Sequence, residues 1–258
     1  MKRVVIVGGG NLAESVAVAV AESSAVELVQ IYLRRGERGE ELTGLTGAPF
    51  ATFDEELAVA DIYLLAVSDP AIGSLSSTLP FAAGAVVAHT AGSCPLEVID
   101  PKLRRGVFYP MQSFTRGRRV DFRKIPIFVE ATRPDTLQEL KELGEELGER
   151  VVELSSDDRR RLHLSAVFVC NFVNAMFIAG EELVGASGLD FEILKPLIEE
   201  CCAKALSVDS PRTVQTGPAV RGDVATIEKH SSMLEEQSEL KEIYQNISRY
   251  IWETLKRI

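Results

Sequence analysis

Gly8, Gly10 and Ala13 stand at G-x-G-x-x-A spacing within Gly8-Gly9-Gly10-Asn11-Leu12-Ala13, directly after the apolar run at residues 3–7. Each position answers a physical demand. The first glycine permits a tight strand-to-helix turn, the second lets a pyrophosphate approach bare backbone, and the small third residue lets helix pack on strand. Free N–H groups where the helix opens, at Asn11 and Leu12, would receive the phosphates. A strand before the glycines and an Ala-rich helix after them supply the context of a dinucleotide site. The second strand ends in Tyr32-Leu33-Arg34-Arg35-Gly36, with no acid to hold a ribose 2′-hydroxyl. Two guanidinium forks suit a 2′-phosphate, so the expected cofactor is NADP, read by Arg34 and Arg35. The plainer alternative is a pair of solvated loop arginines. Val67-Ser68-Asp69-Pro70 and His89-Thr90-Ala91-Gly92-Ser93 follow later strands on the same edge. Val67, Ser68, His89, Ala91 and Gly92 are therefore expected beside the nicotinamide end, although such residues also make ordinary turns.

Proton transfer needs a titratable group, and the chain has only three histidines, His89, His163 and His230. His163, Asn171 and Asn174 fall near one stripe of an otherwise apolar helix, where polar groups need a partner or a ligand. His163 could be the proton donor or a helix-start histidine bonded to a loop; the asparagines could orient substrate or bridge helices. Residues 216–223 form a Gly/Pro-rich turn. In it Arg221 could grip an anionic group bidentately, and Asp223 reads as an N-cap. Lys102 to Lys124 includes Arg104, Arg105, Arg116, Arg118, Arg119 and Arg123 against Asp121 alone. Such a run is more often a solvated face than a ligand funnel. There is no zinc-ligand spacing, no Walker loop and no nucleophile elbow, which disfavours metal, NTPase and serine-hydrolase chemistry.

The elements that must position these groups fall into two sets. Strand-like runs at 3–7, 26–33, 62–67, 85–89, 107–109, 125–129 and 150–154 alternate with helix-like segments at 12–23 and 134–147. That alternation predicts an α/β, Rossmann-type doubly wound parallel sheet. The proline at 126 hints at an edge strand or a strand start. Beyond residue 155 strand signals vanish, and helices are expected at 157–182, 191–206, 224–233 and 236–256. The predicted organisation is a nucleotide-binding domain over 1–155 and an all-helical C-terminal domain over 156–258.

The 258 residues, 46% hydrophobic and 26% charged, are globular in composition, and the net charge of −10 argues against a general nucleic-acid binder. Four cysteines without a CxxC pair, and an N-terminal apolar run too short for a secretory signal, point to a reducing cytoplasm. Residues 164–180 carry no formal charge and sit at the low edge of a membrane-spanning length. Asn171, Asn174 and Ser165 interrupt them, so a buried core or interface helix is the better reading.

Several segments together carry a family resemblance: Gly8–Ala13, residues 89–93, Tyr109-Pro110-Met111-Gln112-Ser113-Phe114, His163 with Asn171-Phe172-Val173-Asn174, and residues 216–223. The chain resembles Rossmann-like proteins with a C-terminal domain of unknown function 2520. More distantly it resembles pyrroline-5-carboxylate reductase, prephenate dehydrogenase and the β-hydroxyacid dehydrogenases. The resemblance implies an NADP oxidoreductase whose helical domain often forms a homodimer, with Gln112 and Ser113 near ligand. It implies no particular substrate. In β-hydroxyacid dehydrogenases a lysine and an asparagine on the corresponding helix do the acid–base work; here that helix has no lysine. Two functions stand at this point: hydride transfer to or from a small, anionic oxo- or imino-substrate in an interdomain cleft, or NADP(H) binding without turnover.

Overall fold

The computed structural model describes residues 1–255. It divides into two compact units, Met1–Asn171 and Phe172–Ile258. The first is built on one eight-stranded sheet in the order β3-β2-β1-β4-β5-β6-β7-β8. Its strands are β1 (Lys2–Val7), β2 (Val26–Leu33), β3 (Phe50–Thr52), β4 (Ile62–Leu65), β5 (Val86–His89), β6 (Arg104–Pro110), β7 (Ile127–Ala131) and β8 (Val151–Glu153). β1 lies between β2 and β4 and pairs parallel with both. The run Val4–Val7 is buried on both faces, as a central parallel strand must be. Val4 and Ile6 join one apolar layer with α1 (Asn11–Glu22), α2 (Gly39–Thr46) and α4 (Pro134–Leu147). Val5 and Val7 join the opposite layer, which includes Ile72 of α3 (Asp69–Thr78). The alternation follows from side chains pointing to opposite faces along a strand.

The sheet departs from the all-parallel expectation once. β7 runs antiparallel to β6. The link between them contains only a single 3₁₀ turn, Phe122–Lys124, and no helix to carry a crossover, so the chain returns alongside β6. The strand after Pro126 is internal to the sheet, and the proline marks its start rather than an edge. Three short elements were not anticipated from sequence: α2, β3 and α3.

A long helix follows β8. It comprises α5 (Ser156–Ala166), a π-helical turn at Val167–Asn171, and α6 (Phe172–Gly185). The two units divide inside this helix, not at 155/156 where the strand pattern ends. The first turns of α5 belong to the sheet unit. Ser155 caps them, its hydroxyl accepting from the Asp158 N–H at 3.2 Å, and Arg159 is 1% exposed. Arg159 pairs with Glu130 of β7 and donates to the Cys94 carbonyl and to Ser156 at 3.1 Å.

The helical unit contains α6, α7 (Lys195–Leu206), the short α8 (Pro218–Arg221), α9 (Val224–Met233) and α10 (Ser238–Leu255). The expected end of α10 at Lys256 lies outside the described residues. Asp223 caps α9 as expected, accepting from the Thr226 N–H at 3.1 Å and its hydroxyl at 2.8 Å. Helix Ser156–Gly185 is long and apolar enough to cross a membrane by length and composition, yet none of its most apolar 18-residue window is buried inside the chain. It is therefore not the core helix that one reading of residues 164–180 anticipated.

Candidate functional site

β1 delivers the chain into the glycine turn. Gly8 has φ of +131°, and a Cβ there would stand 2.1 Å from the Ala66 carbonyl oxygen. Only glycine fits this turn. Gly10 is different: a Cβ would meet nothing within 4 Å and would project into open space. Gly10 is also the N-cap of α1, and no side chain caps that end. The first N–H groups of α1 are thus left for an incoming acceptor. Ala13, 1% exposed, packs in the core as the third position requires.

The space above this turn is a cavity of about 800 Å³. Its walls include Gly8 to Ala13, Arg34, Phe53, Val67, Ser68, Asp69, Thr90, Ala91, Gly92, Tyr109, Gln112 and His163. Arg34 is exposed and, among the described residues, has no ion-pair partner. The nearby Arg38 is already engaged: it pairs with the buried Glu14 and with Glu41, and donates to the Gly9 carbonyl at 3.2 Å. Glu14 also accepts from the Gly117 N–H at 3.0 Å, and Asn11 donates to the Phe114 carbonyl at 3.1 Å. The loop after β6 is thereby fastened over the start of α1. An uncapped helix end, a turn open at Gly10 and one unpaired guanidinium in one cavity form a cradle that fits a dinucleotide diphosphate.

In the same lining Tyr109, near the end of β6, meets His163 of α5. The phenol oxygen lies 3.1 Å from Nδ1 of the imidazole, and the rings stand edge to face. Burial raises the Tyr109 pKa, outweighing the opposing charge of Arg159, so the hydroxyl keeps its proton at neutral pH.

A family model described as Domain of unknown function (DUF2520) matches residues 125–251. The crystal structure of "putative NADP oxidoreductase BF3122" from Bacteroides fragilis superposes with a TM-score of 0.90 at 36% identity, covering 98% of each chain. The chain belongs to the DUF2520 family. Protein TM1727 from Thermotoga maritima, 21% identical, shares the fold with a TM-score of 0.75 over 98% of each chain. So does Plasmodium falciparum pyrroline carboxylate reductase, solved with NADP bound: 14% identity, TM-score 0.61, 97% of this chain and 98% of that one. No curated protein matches by sequence.

This DUF2520 protein gathers most of the residues singled out from sequence. Gly8, Gly10, Asn11, Leu12, Ala13, Arg34, Val67, Ser68, Ala91, Gly92 and His163 all line the one cavity. Arg35 does not. Its backbone is extended, and neighbouring side chains in extended chain point to opposite sides. His89 does not line it either. The residue is fully buried, Nδ1 accepts from the Ala91 N–H at 3.2 Å, and Nε2 lies 3.3 Å from the Pro95 carbonyl. Burial and the charge of Arg159 push its pKa down to about 4. His89 is a neutral internal brace that shapes the 89–95 loop. Asn171 lies exposed in the π turn, outside the cavity lining. Asn174 on α6 and Arg221 at the end of α8 are exposed residues of the helical unit. The basic stretch after residue 102 is largely ion-paired, through Arg104–Glu139, Arg116–Glu41, Arg119–Glu22 and Arg123–Glu149. It is a solvent-exposed, ion-paired face rather than a ligand funnel. Sequence reasoning placed Asp69 only as part of the loop after β4 and did not assign roles to Phe53, Tyr109 or Arg38; the YPMQSF segment was the only signal near Tyr109.

Proposed function

We propose that this protein is an NADP-dependent oxidoreductase acting on the C=O or C=N bond of a small anionic substrate. The observation that carries the reading is the single cavity joining a phosphate cradle at Gly8–Ala13 to a Tyr–His pair. The unpaired Arg34 at the tip of β2 favours the 2′-phosphorylated cofactor. The name of the Bacteroides relative and the NADP bound in the Plasmodium reductase support the same choice. A bound nicotinamide would supply the hydride; the chain's own work is to orient substrate, exclude water and move a proton. His163 is the proton-handling residue of this reading. Asn171, Asn174 and Arg221 do not line that cavity and carry no part of this reading.

Calorimetry with NADPH and NADH tests the cofactor. The expected result is tighter NADPH binding, lost with Arg34→Ala; equal or tighter NADH binding overturns it. A panel of oxo- and imino-acids, followed by NADPH consumption, tests the reaction. A second reading, binding without turnover, is favoured by the absence of any lysine on helix Ser156–Gly185. Tight NADPH binding with no turnover on any panel member would establish it.

We also propose that the protein works as a homodimer in the cytoplasm. Four free cysteines support a reducing compartment. Helix Ser156–Gly185 exposes Leu164, Val169, Val173, Ile178 and Leu183. So much apolar surface on one helix marks an interaction face. Asn171 and Asn174 along it suit a second copy better than lipid, because a two-fold contact can pair amide groups with each other. Light scattering giving a monomer at micromolar concentration would overturn the dimer.

A further inference from the structure

We propose that Tyr109 is a positioning residue that fixes His163 in the tautomer carrying its proton on Nε2, so that this proton is the one delivered to the reacting oxygen or nitrogen. The inference rests on the oxidoreductase reading and names the proton path within it.

Tyr109 sits near the end of a sheet strand and is 7% exposed. Its hydroxyl keeps its proton, because burial raises the phenol pKa, and so has a hydrogen to donate. The acceptor within reach is Nδ1 of His163 at 3.1 Å. An imidazole that accepts at Nδ1 holds its proton on Nε2. Among the described residues Nε2 has no hydrogen-bond partner, while the ring lines the cavity that holds the glycine turn. The seat is shaped for this contact. A Cβ on Gly92 would stand 2.5 Å from Nδ1 and 2.9 Å from Cζ of Tyr109, so any larger residue would push the two rings apart.

The proton balance follows from the pair. As the heteroatom of the C=X bond gains electron density, its lone pair takes the Nε2 proton; Nε2–H breaks and X–H forms. Nδ1 takes the Tyr109 proton at the same time, so the imidazole never becomes an anion. The negative charge is left on the phenol oxygen, in the field of the buried Arg159. His163 is half-buried, and solvent returns a proton along the same path.

The test uses the full chain, without cofactor, carrying ¹⁵N-labelled histidine. Long-range ¹H–¹⁵N spectra report the tautomer of each ring, and His163→Asn assigns the signal. The expected wild-type result is one His163 tautomer, protonated on Nε2. Tyr109→Phe should give a mixture of tautomers while the His89 and His230 signals stay in place, which shows that the fold is intact. A wild-type ring protonated on Nδ1, or a population unmoved in Tyr109→Phe, overturns the proposal even if the protein turns over NADPH. With an active substrate, Tyr109→Phe should lower kcat on the order of 100-fold and leave the KM for NADPH unchanged. An Nε2–H tautomer held by Tyr109 in a protein with no turnover would instead overturn the oxidoreductase reading and the delivery step with it.

Discussion

The sheet unit and the helical unit bury apolar residues in opposite ways. In the first, Val4 to Val7, Ile62, Leu64 and Leu65 are closed off completely between layers of helices. In the second, only Ala219 and Leu234 are buried apolar residues among those described, while Leu197 is 67% exposed and Leu206 86%. Both units use similar residue types. The difference is that a parallel sheet is covered on both faces by its own crossover helices, whereas a few helices of one chain leave apolar faces over. The sheet unit completes its own core; the helical unit leaves apolar surface exposed. Variants in the two units should therefore fail differently.

The largest effect is expected at Gly8. Gly8→Val forces a side chain onto the Ala66 carbonyl and strains a backbone at φ +131°, and should cost more than about 4 kcal/mol of stability together with nucleotide binding. Gly10→Val is the informative control. Its side chain enters the open cavity, so the melting temperature should hold while NADPH affinity falls beyond detection. If Gly10→Val binds NADPH normally, the cradle is not where the diphosphate lies.

The next prediction concerns the exposed helix. Val169 is 74% exposed, so Val169→Glu combined with Ile178→Glu would cost a free chain little. In a dimer the same charges are buried without partners, at about 4 kcal/mol. Light scattering should show a monomer that retains NADPH binding. An unchanged mass would mean that helix Ser156–Gly185 is not the contact.

A third effect belongs to the sheet unit and is read through pH. Folding lowers the His89 pKa from the ordinary 6.5 to about 4, because the site is buried and faces Arg159. Between those values the unfolded chain binds the proton and the folded one does not. The stability from a neutral His89 is complete above pH 6.5, falls as pH drops from 6.5 to 4, and the loss reaches about 3 kcal/mol. Asp135, held down to about 2 by Arg133, titrates below that window. Urea unfolding at several pH values should show the slope in wild type and a flatter one in His89→Gln. Equal slopes would remove His89 as the cause.

What could be seen in the sequence follows from how local each signal is. The strands at 3–7 and 26–33 were legible because β-branched runs declare a doubly covered strand, and the glycine turn because its demands lie within six residues. Helices α2 and α3 were not, since GEELTGLT and DPAIGSLSST mix glycine with threonine or serine in short helices stabilised by packing. The reversal at β7 depended on a missing crossover helix, which no residue type announces. In the site, Arg34 was legible from strand-end position. Tyr109 and His163 were not legible as a pair, being 54 positions apart. His89 looked available for chemistry because its burial and its two ring contacts exist only in three dimensions.

The smallest expected effect compares two helix caps, one from each unit. Ser155 caps α5 where that helix is tied to the sheet through Arg159 and Glu130, while Asp223 caps α9 in the helical unit. Ser155→Ala removes the acceptor for the Asp158 N–H and should cost about 1 kcal/mol, read as a lower midpoint of the sheet unit's unfolding. Asp223→Ala removes two contacts to Thr226, yet its consequence should stay local: faster amide exchange at Thr226 with the overall midpoint unmoved. Asp223→Asn should restore the protection, because an amide oxygen caps as well as a carboxylate. If Asp223→Ala instead lowers the global midpoint as much as Ser155→Ala, the helical unit is stabilised from within after all. The contrast between a sheet unit with a closed core and a helical unit with exposed apolar faces would then not govern stability.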